Sequence, residues 1–143
     1  MALARPEASD AEILRAATAA GADGFIRRHP LGYDMPLGER GEGLSAGQRQ
    51  AIAIAQALIK DADVLLLDEP TSAMDDRTEI EFRRGLEPIL AGKTLVLVTH
   101  KPSMLELVDR LIIVDGGRVV MDGPKETVLM ALRTGEVKAP DRG

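Results

Sequence analysis

The sequence has no cysteine and no tryptophan, and its only aromatics are Phe25, Tyr33 and Phe82. Without cysteine there is no disulfide scaffold, no thiolate zinc site and no cysteine nucleophile. With aromatics at 2%, stacking platforms for single-stranded nucleic acid are close to excluded. Basic charge is short as well. Lys plus Arg number 18 against 23 Asp plus Glu, a net charge of −5. No net positive field exists to gather phosphate backbones or anionic lipid, so nucleic acid is not an expected partner. Long apolar runs are also missing. A membrane-crossing helix needs about 20 consecutive apolar residues, and the best runs are Val64–Leu67, Leu95–Val98 and Leu111–Val114. No membrane span is expected in this chain. The opening Met-Ala-Leu-Ala-Arg-Pro-Glu lacks the basic-then-apolar order of a secretion signal.

What is present is ordinary for a globular protein. Hydrophobic residues make up 45% and charged residues 29% of 143. That length predicts one domain or part of one. It is enough to bury a core, since chains of this size remove roughly 68–70% of their unfolded surface from water.

Punctuation residues divide the chain. Ser9-Asp10-Ala11-Glu12 has the spacing of a helix capping box. Ile13, Leu14, Ala16, Ala17 and Ala20 continue an apolar stripe that Gly21 stops. A second short helix is expected over Ala22–His29, before Pro30, and residues 31–44 are expected to be glycine-rich loop. Ser45-Ala46-Gly47-Gln48 repeats the capping spacing and opens a helix to Lys60, apolar on most sides and therefore expected to be well buried. Val64–Asp68 and Thr94–Thr99 have the length and branching of fully buried strands. Between them a helix is expected from about Asp76, ended by Pro88. Pro102 suits the first turn of a short helix. Arg110–Val114 and Arg118–Met121 flank Asp115-Gly116-Gly117, a hairpin signal, and Pro124 starts a last helix to about Thr134. Buried strands alternating with helices argue for an α/β fold with a mainly parallel sheet, preceded by a helical lobe.

Three features carry chemistry. An apolar strand ending in Asp68-Glu69 puts two carboxylates at the carboxyl edge of a sheet, where α/β proteins bind ligands. One can hold Mg²⁺ through its water shell, and the next can orient and activate an attacking water. The ordinary alternative is a strand that ends in solvated acids. Leu44-Ser45-Ala46-Gly47-Gln48 opens a helix, where unpaired N–H groups and the helix dipole favour an anion. The ordinary alternative there is a plain capping box. His100 follows a strand, where imidazole can meet a terminal phosphate or its attacking water; the alternative is an exposed loop histidine.

Helix cap, then strand with Asp-Glu, then strand with His, in this order, resembles the ATP-binding cassette (ABC) ATPases. Leu44–Gln48 looks like that family's signature sequence, with Ala46 at a usual Gly. Val64–Glu69 resembles its Walker B strand with the catalytic Glu, Ser72-Ala73-Met74-Asp75 its D-loop, and His100 its switch histidine. Gly38-Glu39-Arg40-Gly41 resembles the exporter-type loop that senses transmembrane coupling helices. The resemblance runs from about residue 3 to 134. The wording of His29–Gly41 and Thr71–Asp75 is most similar to ATPases of type I protein secretion.

The resemblance implies a P-loop NTPase-like cassette fragment: a helical signature lobe over residues 1–62, the later part of the ATPase core over 63–134, and a polar tail over 135–143. It implies ATP and Mg²⁺ as ligands, with Glu69 as general base, Asp68 ordering Mg²⁺ through water, and His100 on the γ-phosphate. Ser45, Ala46, Gly47 and Gln48 would cap ATP held by a second cassette in a head-to-tail dimer, and Asp75 would link the two sites. The expected setting is the cytoplasmic face of the inner membrane, against an exporter's transmembrane domain.

No Gly-x-x-x-x-Gly-Lys-Ser/Thr occurs. Gly92-Lys93-Thr94 imitates its end, but Glu87 holds the first glycine position and the segment leads into a strand. The chain is therefore expected to correspond to the C-terminal half of a cassette, and to be inactive alone. The family's P-loop strand would lie between strands like Thr94–Thr99 and Arg110–Val114, so two strand edges would lack partners. Two other readings stand beside this one. A half-cassette could be a non-catalytic module that offers only its signature face, although Glu69 and His100 would then serve nothing. A DNA-maintenance ATPase of the same superfamily is disfavoured by the acidic charge, the exporter-like loop and the absence of coiled-coil heptads.

Overall fold

The computed structural model describes residues 5–36 and 41–135. The exporter-like loop is described only at Gly41, and the tail only at Gly135. The elements are α1 (Asp10–Ala19), α2 (Asp23–Arg28), α3 (Ala46–Ile59), β1 (Val64–Asp68), α4 (Asp76–Leu86), β2 (Thr94–Val98), β3 (Arg110–Asp115), β4 (Arg118–Pro124) and α5 (Lys125–Thr134). Single 3₁₀ turns cover Gly32–Asp34, Glu87–Ile89 and Pro102–Leu107. The described residues form two compact units, one up to His100 and one from Lys101. The boundary expected between residues 62 and 63 falls inside the first unit, because α1 packs on both α3 and α4.

The first unit begins with the capping box seen in the sequence. Ser9 Oγ accepts from the Glu12 N–H at 3.3 Å, and Glu12 Oε2 accepts from the Ser9 N–H at 2.8 Å. Gly21 follows α1 at φ 72°, a left-handed turn that glycine takes without side-chain strain. The helices meet through small residues. Ala17, Ala22 and Ala51 cluster with Ile26, with Phe25 packed against them. Helix α3 buries Ala51, Ile52, Ile54, Ala55, Leu58 and Ile59, while Ala53 faces out, so its burial is one-sided. Helices α1 and α4 approach closely at Gly85 of α4, where an added Cβ would lie 2.8 Å from the Ala19 Cα.

Strands β1 and β2 pair in parallel, Val64 opposite Thr94 through Asp68 opposite Val98. The expectation that both are fully buried is corrected. Leu65 and Leu67 are buried, each burial contributing about 1.5–3 kcal/mol. On the other face Val64, Leu66, Val96 and Val98 are exposed by 59, 69, 46 and 50%. A buried parallel strand needs a layer on each face, and among the described residues only one face has it. Lys93 of the P-loop-like tripeptide ties the entry to β2: its Nζ donates to Asp61 Oδ1 at 2.8 Å and to the Ala62 carbonyl at 3.0 Å.

The second unit is an antiparallel hairpin followed by a helix. Gly116 and Gly117, both at positive φ, make the β3–β4 turn. Arg110 donates twice to Asp122 across the pair, both at 2.7 Å. Met104, Leu111, Val128 and Ala131 form its buried apolar set. Strands β2 and β3 lie in separate two-stranded sheets.

The Gly85 contact yields a stability prediction. Gly85→Ala improves intrinsic helix propensity, yet places a methyl against the Ala19 backbone. Overpacking costs about 1–3 kcal/mol, more than the roughly 1 kcal/mol gained from replacing a helical glycine. Thermal unfolding by circular dichroism should show a lower Tm for Gly85→Ala; a higher Tm would mean that α1 and α4 can separate freely.

Candidate functional site

The turn that leaves β1 carries most of the candidate residues. Asp68 ends the strand and is exposed. The ladder runs one bond further, from the Glu69 N–H to the Val98 carbonyl at 2.9 Å. That bond holds the Asp68-Glu69 pair beside the end of β2, from which His100 emerges two residues later. His100 Nε2 lies 3.5 Å from Glu69 Oε1. This is electrostatic proximity without hydrogen-bond alignment, for Glu69 Oε1 is buried and has no hydrogen-bond partner. The imidazole itself is 93% exposed, and only about a third of the Glu69 side chain is. The fold thus brings His100 beside the carboxylate of Glu69, while Asp68 stands exposed at the strand end.

Sequence patterns did not reveal the backbone of Glu69. Its φ is +44°, in the left-handed region where only one other non-glycine described residue, Asp61, sits. Asp tolerates that region through its short polar side chain, but Glu has no such aid. Strained backbone of this kind persists where the surroundings hold it. Here the Glu69 carbonyl accepts from the Ser72 N–H at 3.1 Å and from Gln50 Nε2 at 2.8 Å. Gln50, on α3, was not among the residues singled out by motif. Its position on the same helix, two residues past the signature, was the only available signal.

The signature region folds as a complete capping box. Ser45 Oγ accepts from the Gln48 N–H at 3.2 Å, and Gln48 Oε1 accepts from the Ser45 N–H at 2.9 Å. Both the capping alternative and an anion site are compatible with this arrangement. The Ser45 oxygen acts as an acceptor towards the helix, which leaves its own O–H to donate elsewhere. Ala46 is the first helical residue with negative φ, so its extra methyl is accommodated. Gly47 has a packing reason to be glycine: a Cβ there would lie 3.0 Å from the Ala73 carbonyl oxygen. The N-terminal end of α3 thus abuts the Ser72–Asp75 segment. Asp75 caps α4, its Oδ1 accepting from the Thr78 N–H at 2.8 Å. That hydrogen bond holds its carboxyl below the usual range.

The chemistry of this set suits a magnesium nucleotide. No group of three His, Cys, Asp or Glu among the described residues could hold a metal unaided. Mg²⁺ does not need one, because it keeps waters and takes only one or two protein carboxylates plus phosphate oxygens. Asp68, exposed at the end of β1, is the carboxylate expected in that role. The Glu69 side chain is about a third exposed, although its Oε1 is buried and unpaired, and the 14-residue helix α3 presents its N-terminus with Ser45 as donor. The site is an open edge. Two clefts of about 710 and 660 Å³ in the first unit are lined by neither Asp68, Glu69 nor His100. No described helix is long and apolar enough to cross a membrane.

Comparison with known proteins gives the chain a family. The ABC transporter family model matches residues 6–72. The ATP-dependent lipid A-core flippase of Neisseria gonorrhoeae is 42% identical over 125 residues, covering 87% of this chain and 20% of the flippase. The cyclolysin secretion/processing ATP-binding protein CyaB of Bordetella pertussis is 47% identical over 131 residues, 92% of this chain and 18% of that protein. The chain thus spans about a fifth of the length of these relatives. Among solved structures, a bacterial Atm1-family ABC exporter with ATP bound matches 99% of this chain and 26% of its own, at 34% identity and a TM-score of 0.81. In motif order, fold and sequence alike, the chain belongs to the ABC transporter family.

Proposed function

We propose that this chain supplies the hydrolytic edge and the signature face of an exporter's ATPase cassette. The reading is carried by one observation: Asp68 and Glu69 stand at the carboxyl end of a parallel strand, with His100 Nε2 3.5 Å from the buried Glu69 oxygen. Bound Mg²⁺ would neutralise charge between the β- and γ-phosphates of ATP. Asp68 would hold a water of its shell. The Glu69 carboxylate, about a third exposed, would accept a proton from the attacking water, and His100 Nε2 would donate to the γ-phosphate. These are the positioning and proton-accepting roles that phosphoryl transfer asks of protein side chains. Ser45, with Ala46, Gly47 and Gln48 behind it, would face the γ-phosphate of ATP on a second cassette, and Asp75 would bridge the two. A transmembrane domain, reached through residues 38–41, would place the assembly on the cytoplasmic face of the inner membrane.

Type I protein secretion is the proposed transport class. The 47% identity to the cyclolysin-secretion relative and the wording of residues 29–41 and 71–75 support it. The identity to lipid A-core flippases, 42% and 46% in two of them, keeps a lipid exporter as the competing outcome. Replacing the matching segment of each relative with this chain separates them: cyclolysin export should survive the exchange, and lipid A flipping should not. The reverse result reassigns the substrate class.

Two measurements address the chemistry. The isolated 143-residue chain has no P-loop, so calorimetric titration with Mg-ATP should give no binding heat; stoichiometric binding would reveal phosphate contacts outside this account. In a complete cassette, Glu69→Gln should leave ATP binding intact and lower kcat on the order of 10²–10⁴-fold, the usual range for a lost general base. Unchanged turnover would remove Glu69 from the mechanism and favour the non-catalytic, signature-presenting module.

A further inference from the structure

We infer that Gln50 is a positioning residue for Glu69, through which the signature helix controls the backbone of the hydrolytic carboxylate. The inference rests on the catalytic reading of Glu69 given above.

Three observations carry it. First, the Glu69 peptide is held at φ +44° by bonds to its carbonyl, and the shorter of the two comes from Gln50 Nε2, 19 residues earlier in the chain. The other, from the Ser72 N–H at 3.1 Å, belongs to the turn itself. Only the amide nitrogen can donate to a carbonyl, so this contact fixes which way the Gln50 amide faces. The same nitrogen lies 3.4 Å from Ser72 Oγ.

Second, Gln50 is an expensive choice for packing alone. Its Oε1 is buried and has no hydrogen-bond partner. A buried acceptor left unpaired is penalised, whereas an apolar side chain of the same length would fill the space without that cost. Glu69 Oε1 and Thr71 Oγ1 are orphaned in the same way, on the same turn. The donor to Glu69 is what the position gains from a glutamine.

Third, Gln50 and Gly47 share one rigid helix, and that helix touches the turn at two places. Gln50 grips the Glu69 carbonyl, and Gly47 abuts the Ala73 carbonyl at a distance that leaves no room for a side chain. A shift of the N-terminal end of α3 therefore cannot leave the Glu69 peptide where it is. Because that end carries Ser45, whatever anion engages it acts on the orientation of Glu69 in the same chain.

The test uses an ATPase cassette in which this chain replaces the matching segment of the cyclolysin-secretion relative. Gln50→Met keeps length and removes the donor; Gln50→Lys restores a donor. Each is made with Glu69 and with Glu69→Gln. Gln50→Met should lower kcat at least tenfold with KM for ATP within twofold, and Gln50→Lys should recover most of that loss. In the Glu69→Gln background, single-turnover hydrolysis should fall less than twofold further, because a residue acting through Glu69 has nothing left to act on. If Gln50→Met fails to bind ATP, Gln50→Glu, which sets an acceptor against the Glu69 carbonyl, is read in the same way. Equal fractional losses in both backgrounds, a change in KM alone, or an unchanged kcat would overturn the inference. Normal turnover by Glu69→Gln alone would instead overturn the catalytic reading beneath it.

Discussion

The bond from the Glu69 N–H to the Val98 carbonyl, 2.9 Å long, is the constraint from which the candidate site is built. It extends the parallel β1–β2 ladder past the last strand residue. Asp68 is thereby held opposite Val98, and the chain leaving β2 delivers His100 against the Glu69 carboxylate. A parallel pair is the weaker kind of ladder and two strands alone are marginal. The carboxylates are therefore only as well placed as the burial of Leu65 and Leu67 allows. Hydrophobic burial on one face of the pair and polar geometry at its end are thus one problem.

That end is also where the polar accounting departs from the ordinary. Buried side-chain polar atoms are nearly always paired. Gln50 Oε1, Glu69 Oε1 and Thr71 Oγ1 are not, and they lie on or against a single turn whose first residue has a left-handed backbone. Folding alone would favour apolar groups there. Under the proposed catalytic role of Glu69, the turn carries this polar cost before any substrate arrives, as the condition of holding the carboxylate in one orientation. Preorganisation of this kind places its cost in the resting protein and its gain in the transition state.

Much of this was legible in the sequence. Both capping boxes form as spaced, at Ser9–Glu12 and Ser45–Gln48. Gly116-Gly117 turns the hairpin, and Pro88 and Pro102 sit in 3₁₀ turns where their missing N–H groups are harmless. Such features depend on a few neighbouring residues, so the chain states them directly. The approach of His100 to Glu69 was legible only through motif order. The Glu69 backbone and its Gln50 clamp were not, because they arise when α3 and the β1 turn meet, residues that no local pattern joins. Gly47 shows the intermediate case. Its glycine was evident, but the reason is the Ala73 carbonyl 3.0 Å away as well as any ligand.

The open face of β1 and β2 follows from the same physics as the site. An alternating strand pattern, eaten by water on one side, would normally carry polar residues there, yet Val64, Leu66, Val96 and Val98 are all apolar. These positions match a strand covered on both faces, and the same four residues precede the Asp68-Glu69 and Thr99-His100 ends. A sheet covered on both faces is what keeps the carboxyl ends of its strands as the only exposed edge, and so concentrates the chemistry there. The apolar pattern of β1 and β2 is that of a sheet covered on both faces, whereas among the described residues only the Leu65 and Leu67 face is covered; in either case the polar residues stand at the carboxyl ends of the strands, where an α/β sheet binds its ligands.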